Sequence, residues 1–91
     1  MIIDRDTMKQ YMVIETFLLE HKAKIYERFH SKGRMLPDGL IYLDSWLARE
    51  GDRCFQLMET DDPKLFKLWT DKWSDLVNFE VVEIGDKPKK S

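Results

Sequence analysis

Residues 40–63, LIYLDSWLAREGDRCFQLMETDDP, place two short strand-forming runs on either side of Glu50-Gly51-Asp52 and then break into a helix. The run 40–47 is aromatic and aliphatic with Asp44 and Ser45 inside it, and the run 53–59 alternates Phe55 and Leu57 against Gln56. Two such runs around a glycine-containing turn predict a β-hairpin. Asp62 then has the side chain of a helix N-cap, and Pro63 takes the first helical position, where its missing N–H costs nothing. Leu65, Phe66, Trp69 and Trp73 form the apolar stripe of the helix that follows.

Outward from the hairpin, residues 11–17 (YMVIETF) read as a strand. Leu18, Leu19, Ala23, Ile25, Tyr26 and Phe29 recur at steps of three and four, with Lys22, Lys24, Glu27 and Arg28 between them, which predicts an amphipathic helix. It ends near Lys32, where Gly33 can take the left-handed conformation, and Pro37-Asp38-Gly39 supplies a turn. Residues 77–84 (VNFEVVEI) alternate again as a last strand. The order β-α-β-β-α-β predicts an α+β, ferredoxin-like domain: a four-stranded antiparallel sheet with two helices on one face. The expected domain is 8–84, with a flexible arm at 1–7 and a flexible tail at 85–91.

At 91 residues the chain has room for one domain and a thin core, so pairing with a second copy is expected. A net charge of −2 with both signs interspersed leaves no broad cationic field for phosphates, which argues against nucleic acid. The single cysteine, Cys54, cannot form an internal disulfide, and no apolar run nears the roughly 18 residues of a membrane span. With no secretory leader at 1–9, a reducing cytoplasm is the expected compartment and a membrane is not an expected partner.

Strand parity assigns candidate residues to faces. A three-residue turn at Glu50–Asp52 pairs Trp46 with Gln56 and Asp44 with Met58 on one face, and Leu47 with Phe55 and Ser45 with Leu57 on the other. The second set is assigned to the helix-side core. Tyr11, Glu15, Phe17, Tyr42, Asp44, Trp46, Cys54, Gln56 and Met58 are then expected on the helix-free face, too aromatic for open water and too polar for a dry core. That face is either a homodimer interface or a ligand cavity, with Tyr11, Glu15, Tyr42, Asp44, Trp46, Gln56 and Met58 as the candidate binding residues. Glu15 and Asp44 form a general acid/base pair if they meet in a dry pocket.

Other chemistry has little footing. Glu27-x-x-His30 is a single copy of a motif that metal sites use in pairs, and His21 and His30 lie on opposite sides of a helix, so no metal and no cofactor are expected. There is no nucleophile elbow, phosphate loop or Cys-x-x-Cys, and Arg53-Cys54-Phe55-Gln56 lacks the glycine and aromatics of an RNA-binding strand. Cys54 reads as an inert thiol within a strand.

The stretches Met12-Val13-Ile14-Glu15, Gly33-Arg34-Met35-Leu36-Pro37-Asp38-Gly39-Leu40, Asp44-Ser45-Trp46 and 54–63, with Trp69 and Phe79-Glu80-Val81-Val82, resemble a family of short bacterial proteins of unknown function. The resemblance runs from about Met8 to Ile84. It implies the class of dimeric α+β barrels, in which two ferredoxin-like subunits pair sheet to sheet. Relatives of that architecture include cofactor-free monooxygenases, haem-degrading enzymes, isomerases and plain binding proteins, so the resemblance implies a fold and no catalytic residue. The leading expectation is a cytoplasmic homodimer that binds an apolar or aromatic small molecule. The alternatives are a cofactor-independent monooxygenase or isomerase, and a protein-interaction module without a pocket.

Overall fold

A computed structural model describes residues 8–86 and 88. The arm at 1–7 and all of the tail except Gly85, Asp86 and Pro88 lie outside the described residues. The elements are β1 (Lys9–Phe17), a 3-10 turn (Leu19–His21), α1 (Lys22–Lys32), β2 (Ile41–Leu47), β3 (Arg53–Thr60), α2 (Leu65–Thr70) and β4 (Val77–Ile84). The strands form one open sheet in the order β2-β3-β1-β4, and every neighbouring pair is antiparallel. With its two helices this α+β architecture is compatible with the ferredoxin-like arrangement.

The core lies between one sheet face and the segment around α2. Tyr11 and Val13 from β1 and Met58 from β3 pack with Phe66, Trp69 and Trp73, and Tyr11 meets Phe66 edge-on with ring centroids 4.9 Å apart. α2 begins at Leu65 with Lys64 as its N-cap rather than Asp62, and it ends at Thr70, ahead of Trp73. Asp62 instead closes the turn before the helix: its Oδ1 accepts the Lys64 N–H at 3.1 Å and its carbonyl accepts the Leu65 N–H at 3.1 Å. The expected single helix before β2 is divided. Its first residues tighten into the 3-10 turn, and α1 proper begins at Lys22.

The hairpin register differs from the expected one, and the difference moves the candidate site. Ala48 N–H donates to the Arg53 carbonyl at 2.9 Å, so the loop is the four residues 49–52, closed by Gly51 N–H on the Ala48 carbonyl at 2.8 Å. Gly51 sits at φ 76, where a side chain would be strained. Leu47 therefore faces Cys54, Trp46 faces Phe55, Ser45 faces Gln56 and Asp44 faces Leu57. Strand side chains alternate with period two, so this slip of one residue moves each partner to the opposite face. A bulge at Leu43 then restores the other parity, and Tyr42 pairs with Met58.

β1 ties these pairs to the core, because Val13 faces Gln56, Tyr11 faces Met58 and Glu15 faces Cys54. Tyr11, Glu15, Phe17, Tyr42, Cys54, Gln56 and Met58 thus lie on the helix side rather than on the helix-free face. Asp44 and Trp46 stay on the helix-free face, joined by Phe55 and Leu57, which were expected in the core. Ser45 and Leu47 are on the helix side as expected, but Leu47 is exposed.

Trp69 is fully enclosed while Leu68, its neighbour on α2, is 57% exposed. Trp69→Ala should therefore lower the free energy of unfolding by about 3–5 kcal/mol, and Leu68→Ala should change it by no more than about 0.5 kcal/mol, measured by urea denaturation.

Candidate functional site

Helix α1 has the apolar stripe of a packed helix and yet buries no residue. Beneath it lies a cavity of about 240 Å³, between the helix and the sheet. Ile25, Tyr26 and Phe29 from α1 line one side of it; Glu15, Ser45, Cys54 and Gln56 line the sheet side. Trp69 and Trp73 also line it.

Two sets of contacts hold α1 and the loop after it at this distance. The indole N–H groups of Trp69 and Trp73 both donate to the Arg34 carbonyl, at 2.9 and 3.1 Å. From α1, Arg28 forks onto Asp75 with two 2.8 Å bonds, donates to the Lys72 carbonyl at 2.9 Å, and lies over the Trp73 ring. The loop itself carries left-handed backbone at Gly33 (φ 66) and at Met35 (φ 59). A left-handed methionine is uncommon and costs of order 1–2 kcal/mol, so its surroundings must impose it. Here the indole bonds to Arg34 and a bond from Lys72 Nζ to the Met35 carbonyl at 3.2 Å do so.

The sheet side of the cavity carries a buried acid. Glu15 accepts a short hydrogen bond from the Gln56 amide and faces Cys54 across the strand pair. Burial is the larger influence and raises the Glu15 carboxyl above its usual range; hydrogen bonding and the charge of Arg34 only partly offset it. Cys54 is pushed up to about 11, chiefly by burial and then by the neighbouring Glu15 charge. A thiol so disfavoured as thiolate is a poor nucleophile near neutrality. Gln56 is itself buried, and its Oε1 has no hydrogen-bond partner.

Of the seven residues expected to bind a ligand, Glu15 and Gln56 line the cavity and bond to each other. Tyr42 adjoins it, with its hydroxyl 2.5 Å from Ser45 Oγ. Tyr11 and Met58 are core residues beneath the same face. Asp44 and Trp46 are exposed on the opposite face, where Asp44 Oδ1 accepts the Ser45 N–H at 2.8 Å. The sheet itself separates Glu15 from Asp44, so they cannot act as an acid/base pair.

Sequence reasoning missed Arg34, which lines the cavity with its guanidinium carbon 3.7 Å from the Tyr42 ring centroid and 5.3 Å from that of Phe29. The available signal was an arginine between Gly33 and Pro37, directly after a helix with aromatic residues. Glu27 and His30 are exposed on α1, and the described residues contain no group of three or more His, Cys, Asp or Glu able to hold a metal ion. No helix among the described residues is long and apolar enough to cross a membrane.

The family model for DUF3303, a domain of unknown function, matches residues 8–86. The chain belongs to this family. No curated protein and no solved structure matches it. The match spans the whole β-α-β-β-α-β unit, so the cavity of this DUF3303 chain, including the Gly33–Pro37 loop and both tryptophans, lies inside the family domain.

The raised Cys54 thiol gives a direct readout of the site. Its alkylation by iodoacetamide should accelerate about tenfold per pH unit up to about pH 11, because only the thiolate reacts. Glu15→Gln removes the adjacent negative charge, so its rate profile should shift to lower pH; an unshifted profile would show that the two groups do not interact.

Proposed function

We propose that this DUF3303 domain is a homodimer that binds a small apolar or aromatic molecule in the cavity between α1 and the sheet. The cavity carries the reading: Ile25, Tyr26 and Phe29 of α1 line a space of about 240 Å³, and of these only Ile25 also packs against the core. At about 30 Å³ per water, that space equals roughly eight waters. It suits a molecule with one or two rings rather than a drug-sized ligand. Aromatic walls contribute dispersion and ring contacts, and the Glu15–Gln56 pair supplies polar atoms that orient what enters. A cytoplasmic setting fits the lone thiol.

The raised Glu15 carboxyl favours a second reading, in which the bound molecule exchanges a proton with it as in a cofactor-independent isomerase or monooxygenase. Asp44 has no part in that version, which leaves one acid rather than two.

The dimer rests on the helix-free face. Trp46, Phe55 and Ile14 form one row across it, and Leu57, Met12 and Val82 lie in the next. Trp46 is 50% exposed, and Ile41, Val82 and Ile84 are each 40% exposed. Four strands about 4.8 Å apart and some 26 Å long make a flat area of about 500 Å² before side-chain relief is added, which approaches the ~800 Å² per partner of a stable interface. A flat apolar patch with Asp44 and Glu80 at its margin suits a second copy of itself, sheet against sheet.

Two measurements test these readings. Titration of 2-naphthamide by isothermal calorimetry should show one saturable site per chain, abolished in Ser45→Phe, which fills the cavity, while circular dichroism confirms an unchanged fold. Binding that survives Ser45→Phe would place the site elsewhere. Sedimentation equilibrium should show a dimer that Trp46→Glu converts to monomer; a monomeric parent chain at high micromolar concentration would overturn the pairing.

A further inference from the structure

We propose that the molecule held in this cavity is a carboxylate, and that the Arg34 guanidinium is its receptor. The inference rests on the cavity being a binding site and adds the chemical class of the ligand.

The two arginines that pack on aromatic rings at this end of the molecule are treated in opposite ways. Arg28 has a ring below it, a forked carboxylate from Asp75 and a backbone carbonyl from Lys72. Arg34 has Tyr42 and Phe29 against it, but among the described residues no carboxylate lies within ion-pair distance and none of its guanidinium N–H groups has an acceptor. It is half-buried in the cavity lining. A guanidinium stacked at 3.7 Å on Tyr42 has that face covered and its donor edges free. Two parallel N–H groups on such an edge match the two oxygens of a planar carboxylate.

The mounting is rigid. The Arg34 carbonyl is fixed by two indoles, the backbone on either side is left-handed, and the Tyr42 ring beneath the guanidinium is tied to Ser45. Rigid placement lowers the ordering cost of binding.

The charge balance of the lining points the same way. Lys22 and Arg34 are its cations and Glu15 its one acid, so an entering monoanion meets a net positive site. The small volume and single fork suit a ring-bearing monocarboxylate.

The test compares 2-naphthoate with 2-naphthamide, which have the same ring system and nearly the same size but differ in charge, by calorimetry on the full chain at low salt. The expected result is naphthoate binding about tenfold or more tighter, since a charge-assisted pair exceeds a neutral one by about a tenfold factor in affinity. Arg34→Gln should remove that preference, so that the two probes bind with equal affinity, and Arg34→Lys, which keeps the charge without the fork, should retain only part of it. A thermal melt checks that each variant is folded. Tyr42→Leu, which removes the stack and leaves the charge, should weaken naphthoate selectively. Equal affinities for the two probes, or a preference that survives Arg34→Gln, would overturn the carboxylate assignment while the cavity remained a binding site. Failure of both probes to bind would overturn the two readings together.

Discussion

The carbonyl oxygen of Arg34 accepts both indole N–H groups that the core produces, from Trp69 and Trp73. Both rings are almost wholly buried, and a buried indole without an acceptor would cost about 1–3 kcal/mol. One carbonyl with two lone pairs satisfies them together. The core around Tyr11, Val13 and Met58 can close over the tryptophans only if this one peptide is brought to them. That requirement explains the left-handed backbone at Gly33 and Met35, the distance of α1 from the sheet, and the position of the Arg34 side chain. The loop is thus a packing device on its carbonyl side and a cavity wall on its side-chain side.

The space under α1 opens to solvent, since Tyr26, Phe29 and Leu47 in its lining are exposed. Water or another molecule can therefore fill it, and its lining is mixed: Glu15, Ser45, Gln56 and Arg34 suit the first, Phe29 and the tryptophans the second. Of the nine residues read from sequence as a face too aromatic for open water and too polar for a dry core, Glu15, Phe17, Cys54 and Gln56 belong to this lining.

The fold was legible because its signals are local. Gly33, Gly51 and Pro63 stand at element ends, and the parity of Tyr11, Val13 and Glu15 shows a strand with one buried face. The site was legible only in composition. Which sheet face Gln56 and Trp46 occupy depends on whether the hairpin loop has three residues or four, and Gly51 suits both. The bulge at Leu43, which returns Tyr42 to the helix side, has no glycine or proline to announce it. The stripe on α1 showed which side of the helix turns inward, but periodicity carries no information about distance, so Tyr26 and Phe29 read as core and are exposed over a cavity. Arg34 was hidden for a related reason: its role comes from a carbonyl fixed by residues 35 and 39 positions away.

Two acids in the molecule show how structural and site roles separate. Asp75 is held below its usual range by the Arg28 fork, so its contribution to stability is present above 3.8 and lost as the pH falls through its folded value. That is the behaviour of a tie between elements, here α1 and the segment before β4. Glu15 is shifted the other way by burial. Its contribution is fully present below 4.5 and lost as the pH rises through its folded value, so the ionised form weakens the fold that contains it. An apolar side chain at position 15 would extend the Tyr11–Val13 face without that loss. Gln56, Cys54 and Arg34 reduce the cost of the acid without removing it. Position 15 thus works against stability at a place on the sheet that also lines a cavity beside Arg34 and Gln56, and a buried acid that the fold does not need is the kind of group that marks a candidate site.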